Sequence, residues 1–468
     1  MKTSFACLLV GMLILNFIDL SRAGYIPLPF QCDYNTTIFV DVAVLGGGAS
    51  GTYAAVQLHR QNRTIALIER EEKLGGQVNT YLDSETGITV EYGVNQYTLS
   101  DVAVQLFEYL RVPYVRGTAN SRQSATYFDF NTGGNVYKKN ENISAEALET
   151  YREQLARYPY LEDGFFLPDP IPEDLLLPFG DFARNFGMEH GVSELSVGMG
   201  DVLNLPTIYV MKHYGSAIFQ NEFLFTAHKN NQEIYDRAKG LLEPGVFLSS
   251  RSHRIQRHGD GDVRLCLETP AGTHLVHAKR LIVAIPPTLE SIQSTGIDLA
   301  PEEQAIFSNF SQIGYYTSLV RIPGLANSHL PLENADGNDT IFGLAKLPGI
   351  WRILQTAIPG LYIVEYGSKA VLSDDVVQRQ ILADLTRLRD AGLISGEEEP
   401  QIVRFSNHSP FYPYVEAESI RRGFYQQLYA LQGRRNTFWT GSAFHVPDSS
   451  LLWRFTESLL SEVTAGLL

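Results

Sequence analysis

Three glycines at a fixed spacing are the residues best suited to bind a phosphate. Gly46, Gly48 and Gly51 form the pattern G-x-G-x-x-G between an apolar run and a helix-forming run. In a dinucleotide site the first glycine permits a tight turn, and the second lets the backbone approach a pyrophosphate. The third lets helix and strand pack closely. A purely structural glycine turn is the alternative, and the neighbouring residues argue against it.

An acidic residue at a suitable distance supports the same interpretation. Glu69 stands about 20 residues after the last glycine, at the end of a second apolar run. A carboxylate there accepts hydrogen bonds from both ribose hydroxyls of an adenosine. The residues expected to contact the cofactor in this unit are Gly46, Gly48, Ala49, Ser50, Gly51, Glu69 and Arg70.

The elements around the glycines are those that such a site requires. Residues 39–45 predict a buried parallel strand, residues 52–61 a helix and residues 64–68 a second strand. The amino end of the helix offers unpaired N–H groups and a partial positive charge to phosphates. The sequence therefore predicts a β–turn–α–turn–β unit of the Rossmann type.

Further motifs, in the same order, resemble the flavin-containing amine oxidase superfamily. They are Leu74-Gly75-Gly76-Gln77, the run from Glu91 to Gln96, the strand and paired prolines at 280–287, and the run from Phe438 to Ser442. In that family the Gly-Gly pair passes the pyrophosphate, and the second loop lies against the flavin. The last glycine turn contacts an FAD phosphate, and the terminal helix points toward the flavin. The resemblance implies FAD as cofactor, with the further contacts Gly75, Gly76, Gln77, Gly93, Val94, Asn95, Gln96, Gly441 and Ser442.

Two positions depart from the amine oxidase pattern. Gln77 stands where the family often has an arginine, so backbone dipoles rather than a guanidinium are expected to hold the phosphate. Thr317 or Ser318 stands where many family oxidases carry a lysine near the flavin. An ordinary amine oxidase is therefore not the expected activity.

The glycine-rich and C-terminal motifs are similar to those of exported fungal flavoproteins typified by β-cyclopiazonate dehydrogenase. The similar stretches are residues 46–55, 74–81 and 441–450. The same branch includes flavin-dependent fatty-acid double-bond isomerases, so membership is a poor guide to the substrate.

Candidate catalytic residues lie in the C-terminal third of the chain. Tyr412 and Tyr414 belong to a segment that resembles the family segment facing the flavin. His408 and His445 are candidates for a base or for covalent attachment of the flavin. For each of these residues, simple packing is the alternative interpretation.

Composition and charge narrow the range of partners. The net charge of −15 and the lack of a basic run argue against nucleic acid. Cys32 and Cys266 have no nearby histidines for a zinc site and are structural, either as a pair or as buried thiols. We expect a small-molecule substrate, oxygen as electron acceptor and no metal.

The first residues have the pattern of an export signal. Lys2 precedes an apolar run at residues 5–18, and Ser21 and Ala23 are small residues at the positions that a signal peptidase requires. We expect cleavage after Ala23, secretion, and no membrane span in the mature chain. N-glycosylation acceptors occur at Asn35, Asn62, Asn142, Asn309, Asn338 and Asn407.

These observations predict an α/β fold in which a Rossmann-type FAD-binding domain is interleaved with an α+β substrate-binding domain. The predicted ranges are 1–23 for the signal peptide, 38–100, 241–290 and 431–468 for FAD binding, and 101–240 and 291–430 for the substrate domain.

The expected function is that of a secreted FAD-dependent oxidase or dehydrogenase acting on a small, largely apolar metabolite, including by oxidative cyclisation. A redox-neutral, flavin-dependent isomerase of fatty-acid double bonds and a non-catalytic flavin-binding protein are the alternatives.

Overall fold

The computed structural model describes residues 30–118, 125–136, 141–258, 261–326, 331–338 and 341–467. The predicted signal peptide at residues 1–23 and the side chain of Asn142 lie outside the described part. No helix within the described ranges is long and apolar enough to cross a membrane.

Twenty strands are described. In chain order they are β1 (Thr36–Leu45), β2 (Ile65–Ile68), β3 (Thr80–Leu82), β4 (Thr89–Glu91), β5 (Tyr97–Thr98), β6 (Tyr114–Gly117), β7 (Thr126–Asp129), β8 (Gly134–Asn135), β9 (Phe223–Thr226), β10 (Val246–Phe247), β11 (Arg251–Arg257), β12 (Val263–Thr269), β13 (Gly272–Val283), β14 (Ser311–Arg321), β15 (Leu332–Asn334), β16 (Gly349–Gln355), β17 (Leu361–Ser368), β18 (Gln401–Asn407), β19 (Phe411–Tyr414) and β20 (Thr437–Trp439).

The described α-helices are α1 (Ala49–Arg60), α2 (Asp101–Tyr109), α3 (Glu141–Leu155), α4 (Phe179–Phe186), α5 (Thr207–His213), α6 (Ser216–Gln220), α7 (Gln232–Leu242), α8 (Leu289–Gln293), α9 (Pro301–Phe307), α10 (Asp374–Asp390), α11 (Ala417–Arg421), α12 (Phe424–Tyr429) and α13 (Ser449–Thr464). Short 3₁₀ helices occur at Pro159–Asp163, Glu173–Leu175, Glu189–Leu195 and Arg434–Asn436.

The first sheet contains the βαβ unit and is built around β13. Strands β10, β2, β1 and β13 pair in parallel in that order. The other edge of β13 is shared, because its first half pairs antiparallel with β12 and its last residues pair in parallel with β20. Val42, Ala43 and Val44 in β1 are fully buried, as expected for a parallel strand covered on both faces. The sheet therefore brings together strands from residues 36–68, 246–283 and 437–439.

Two helices outside the predicted ranges for FAD binding also pack on this sheet. Phe107 of α2 and Ile234 of α7 are buried in the same apolar cluster as Val42 of β1 and Trp453 of α13. They fall in the range 101–240 that the sequence analysis assigned to the substrate domain. Their apolar faces are nevertheless covered by the first sheet and its helices.

The second sheet has eight strands and is separate from the sheet that contains the βαβ unit. Its strands are ordered β18-β14-β17-β16-β15-β7-β8, with β19 added on β14. The helix α10 covers one face, where Val377, Ile381, Leu385 and Leu388 are all fully buried. On the opposite face, Tyr315 and Thr317 of β14 lie beside His408, which is bonded to the loop at Gln77.

Cys32 and Cys266 form a disulfide, with their Cα atoms 5.8 Å apart. The sequence left a pair or two thiols open, and the structure pairs them. The bond fastens the residues before β1 to β12, which lies between β13 and β11 in the first sheet.

Candidate active site

The turn between β1 and α1 is tight enough that only glycine fits at two positions. Gly46 has a φ of +102°, and its amide donates to the Ile68 carbonyl at 2.9 Å. A Cβ on Gly51 would lie 1.8 Å from the Gly46 carbonyl oxygen. The amino end of α1 is thereby held directly at the carboxyl end of β1, where Rossmann folds bind ligands.

The amino end of α1 has the properties of an anion site. No side chain caps the helix at Gly48, and its first turn contains no acidic residue. The Ser50 hydroxyl is buried and has no hydrogen-bond partner among the described residues. Free N–H groups at a helix amino end attract phosphate through hydrogen bonding and the helix dipole. These residues therefore fit the pyrophosphate of a dinucleotide.

The space beside Gly48 is open in the way a bound phosphate requires. A Cβ on Gly48 would meet only the Gly76 Cα atom, at 3.8 Å, and a Cβ on Gly76 would lie 3.0 Å from the Gly48 Cα atom. The Gly75 amide donates to the Gly47 carbonyl at 2.9 Å. The Gly-Gly pair is thus bonded to the first loop and approaches it backbone to backbone.

Glu69 is held beside the same turn. One carboxylate oxygen accepts from the Gly47 amide at 2.6 Å and the other from the Glu71 amide at 2.9 Å. Each carboxylate oxygen can accept more than one hydrogen bond, so the group can still take ribose hydroxyls. Arg70 is different, because its side chain is 71% exposed and pairs with Glu71 at 3.0 Å.

The second predicted loop is joined to the Gly-Gly loop. A Cβ on Gly93 would lie 2.2 Å from the Gln77 carbonyl oxygen, and the Val94 amide donates to that oxygen at 3.3 Å. Asn95 is exposed and Gln96 is half-buried. Because the loops touch, a group bound against one loop lies near the other.

Two residues that the sequence analysis missed fasten both loops to the start of α7. Asn231 donates from its side chain to the Val94 carbonyl at 2.7 Å and from its amide to Glu91 at 2.6 Å. Gln232 donates to the Leu74 carbonyl at 3.0 Å. An Asn-Gln pair before a helix is an ordinary sequence, so nothing local indicates this role.

The C-terminal turn brings a second helix to the same place. Gly441 has a φ of +112°, and no atom lies within 4 Å of where its Cβ would be; Ser442 beside it is half-buried. Asp448 caps α13 by accepting from the Leu451 amide at 2.9 Å. The Trp453 indole donates to the Ala49 carbonyl at 3.1 Å, so the first turns of α1 and α13 lie side by side.

The Gly-Gly loop reaches the second sheet at His408. Gln77 donates from its side chain to the His408 carbonyl at 3.2 Å. The His408 Nε2 atom lies 3.2 Å from both the Asn79 amide nitrogen and the Thr317 hydroxyl. Burial lowers the pKa of His408 to about 4, so the imidazole is neutral near pH 7. An amide nitrogen only donates, and Nε2 is therefore the acceptor.

Thr317, and not Ser318, lies on the side of the cofactor loops. Side chains alternate along a strand, and Tyr316 and Val320, which share the face of Ser318, lie in the cluster under α10. Thr317 shares the other face with Tyr315, whose ring is 5.5 Å from that of His408. Of the two candidates, Thr317 is therefore the one whose hydroxyl faces the cofactor loops.

The two tyrosines predicted to be catalytic, Tyr412 and Tyr414, are packed against Tyr209. The Tyr412 hydroxyl donates to the Tyr209 carbonyl at 2.6 Å, and the ring is 1% exposed. Tyr414 is half-buried, with its ring edge-on to Tyr209. This geometry agrees with the packing alternative.

His445 is also engaged in the interior. Its Nε2 atom is 2.8 Å from the Glu162 carbonyl and its Nδ1 atom 3.2 Å from the buried amine of Lys212. Burial lowers the pKa of Lys212 to about 7. The pair links the C-terminal turn to the 3₁₀ helix Pro159–Asp163 and leaves the imidazole with both nitrogens occupied.

These features define a class of protein. A Rossmann-type cofactor sheet, glycine loops that meet over an uncapped helix, and a second sheet beside them are the architecture of FAD-dependent oxidoreductases of the amine oxidase type. Residues 44–111 match the model of the NAD(P)-binding Rossmann-like domain.

Comparison of whole chains identifies the family. The chain is 34% identical over 447 residues to the FAD-dependent oxidoreductase oblC of Cochliobolus heterostrophus, covering 91% of this chain and 92% of the relative. It is 33% identical over 459 residues to β-cyclopiazonate dehydrogenase of Aspergillus oryzae, covering 97% and 99%. The chain belongs to this family of FAD-dependent oxidoreductases, which confirms the predicted FAD cofactor and enzyme class.

Solved structures confirm the fold. The CLA-producing fatty acid isomerase from P. acnes superposes with a TM-score of 0.71 at 18% identity, covering 92% of this chain and 99% of that one. Wild-type putrescine oxidase bound to putrescine gives 0.62 at 15% identity, covering 92% and 100%. The predicted α/β fold of the amine oxidase type is therefore correct.

We predict that Gly48→Val abolishes FAD retention while the apoprotein stays folded. The added side chain would enter the open space beside Gly76. Losing two hydrogen bonds to charged phosphate, each worth about 1.5–3 kcal/mol, lowers affinity by about 100-fold or more. Flavin absorbance relative to protein absorbance measures retention, and the thermal unfolding midpoint of the apoprotein measures folding.

The matched control for this variant is Gly51→Ala. Its Cβ clashes with the Gly46 carbonyl, so it should lower the unfolding midpoint even without flavin. A Gly48→Val protein that purifies fully yellow would contradict the assignment of the phosphate site.

The second prediction concerns pH and Glu91, which joins the loops to α7. Burial raises the pKa of Glu91 to about 7 from 4.5. The folded state therefore keeps a proton that the unfolded chain releases. The contribution of Glu91 to stability is fully present below pH 4.5 and is lost as the pH rises through 7.

The variant Glu91→Gln should flatten this pH dependence, because the amide still accepts from Asn231 and does not ionise. Thermal unfolding midpoints across that pH range check it, with Glu85→Gln, an exposed carboxylate of the same hairpin, as control. Parallel curves for wild type and Glu91→Gln would show that this carboxyl does not titrate in the window.

Proposed function

We propose that this protein is an exported FAD-dependent oxidase or dehydrogenase that acts on a small, largely apolar, ring-containing metabolite. The observation that supports this function best is the junction at His408. There the Gly-Gly loop is bonded to the face of the second sheet that carries Tyr315 and Thr317. A substrate lying on this face would be next to the loop that carries the cofactor.

The residues of the chain have distinct parts in this proposal. FAD, when bound, supplies a two-electron acceptor. The loop at 46–51 and Glu69 bind the dinucleotide, and the Gln77 and Asn79 side chains fix the Gly-Gly loop against the second sheet. The ring centroids of Trp351 and Phe411 lie 5.7 Å and 4.8 Å from that of Tyr315, so the three rings make this face largely apolar.

The residues at the junction favour oxidation without a charged base. Thr317 and a neutral His408 offer a hydroxyl and an imidazole, and no ammonium group contacts either of them among the described residues. A substrate that loses its proton readily, or whose oxidation is completed by C–N or C–C bond formation, suits such a site. The relative named β-cyclopiazonate dehydrogenase supports an oxidation as the reaction.

The second candidate is a redox-neutral double-bond isomerase. The observation in its favour is the TM-score of 0.71 with the fatty acid isomerase. Both functions need the same FAD site. They differ in whether the electrons taken from the substrate are passed on to a separate acceptor or returned to the product.

Reoxidation of the reduced protein by oxygen distinguishes an oxidase from the isomerase. We expect the anaerobically reduced holoprotein to be reoxidised by dissolved oxygen faster than free reduced FAD in the same buffer, because oxygen is the proposed acceptor. Stopped-flow absorbance records the rate, and an oxygen electrode records uptake. Reoxidation no faster than that of free flavin would speak against an oxidase and would leave a dehydrogenase and the isomerase as the remaining functions.

Export is supported by the surface and by the disulfide. Asn35, Asn62, Asn309, Asn338 and Asn407 are all exposed. The Cys32–Cys266 bond suits an oxidising compartment.

We expect protein made in a fungal host to appear in the medium with an amino end after Ala23. It should shift to lower mass on treatment with an N-glycosidase. Edman sequencing and electrophoresis check both points. A protein that stays in the cell with its amino end intact would refute the proposal of export.

A further inference from the structure

A β-bulge in β16 turns two consecutive side chains toward the same face of the second sheet. Ile350 pairs with Tyr366 and Arg352 with Glu365, so Trp351 is the additional residue. Ile350 and Ile353 both lie in the cluster under α10. Trp351 covers Gly367 on the opposite face, where a Cβ would lie 2.3 Å from the indole.

Arg352 is held rigidly on that face by a carboxylate. Its Nε atom is 2.6 Å from one oxygen of Glu365 and its Nη2 atom 3.0 Å from the other. The two side chains are 28% and 8% exposed. The Nη1 atom has no hydrogen-bond partner among the described residues and is the donor left for a ligand.

Arg352 is aligned across the strands with Thr317, the residue that contacts His408. Thr317 pairs with Glu365 across β14 and β17, and Glu365 pairs with Arg352 across β17 and β16. The rings of Tyr315 and Trp351 are 5.7 Å apart on the same face. Trp351 is only 4% exposed and Tyr315 is half-buried, so a ring-containing molecule would pack beside Tyr315 and from there reach both Thr317 and Arg352.

The charges on this face favour a neutral acceptor. Glu365 compensates the charge of Arg352, and Glu333 stands opposite Arg352 on β15. An anion would meet two carboxylates, and an ammonium would meet a guanidinium donor. A carbonyl or amide oxygen accepts from Nη1 without either repulsion.

We propose that Arg352 determines specificity by donating a hydrogen bond from Nη1 to a neutral carbonyl or amide oxygen of an aromatic substrate that packs beside Tyr315. This inference rests on the proposed function, since it names the class of substrate for the same site.

Three probes with the same ring test the proposal. Phenylacetamide, phenylacetate and 2-phenylethylamine are titrated by calorimetry into the purified holoprotein, whose flavin content is measured separately. The amide should bind most tightly. In the double variant Arg352→Met/Glu365→Gln, which removes the pair without leaving a buried charge, the affinity for the amide should fall about 10- to 100-fold.

Two further variants sharpen the test. Glu365→Gln removes the carboxylate that is bonded to Arg352 and should shift the preference toward phenylacetate. Arg404→Met, an exposed arginine of the same sheet that lies over the Tyr81 ring, should change nothing.

Unchanged affinity for the amide in the double variant overturns the inference, and so does tightest binding of the amine to wild type. Either result with the flavin fully bound leaves the proposed function standing. A protein that binds no flavin fails the proposed function instead, and the flavin content shows that failure before any probe is added.

Discussion

The cofactor site depends on the contact between Gly46 and Gly51. The two residues approach so closely that a single methyl group would collide with a carbonyl oxygen. This contact sets the position of α1 relative to β1, and the remaining loops are bonded to the same turn. Glu69 accepts from Gly47, Gly75 donates to Gly47, and Gly76 approaches Gly48. A displacement of α1 would therefore move the phosphate donors, the ribose acceptor and the Gly-Gly loop together.

A buried cluster of ion pairs around Arg257 joins segments that are far apart in the sequence. Arg257 at the end of β11 has a fully buried side chain that bonds Asp298 at 2.8 Å and Glu303 of α9 at 2.6 Å. Burying such charges is costly unless every donor is satisfied, so the cluster tolerates few alternative arrangements. It fastens residues 298–303, which lie between β13 of the first sheet and β14 of the second, to the end of β11.

The sequence predicts what short-range spacing encodes. The G-x-G-x-x-G turn, the acidic residue after β2 and the helix at 52–61, found at Ala49–Arg60, each follow from neighbouring residues. The contacts of Asn231, Gln77 and His445 join residues more than one hundred positions apart. No local pattern specifies such partners, and the same holds for the bond between the Tyr412 hydroxyl and the Tyr209 carbonyl.

The same limit applies to the bulge at Trp351. An alternating pattern through β16 would place Trp351 and Arg352 on opposite faces, and only the pairing with β17 shows that they share one. Bulges re-aim side chains next to active sites. The feature that shapes the substrate face is thus set by strand register, which the residues of one strand do not determine.

The absence of a lysine at position 317 follows from the electrostatics of this face. A buried ammonium needs a carboxylate partner, and the cross-strand neighbour of Thr317 is Glu365. That carboxylate already binds Arg352 through both of its oxygens. A lysine at 317 would compete for the same group and leave one cation uncompensated. With the carboxylate committed to Arg352, a hydroxyl and a neutral imidazole are the polar groups that this position can accommodate at low cost, and the chemistry beside the cofactor is accordingly that of neutral hydrogen-bonding groups.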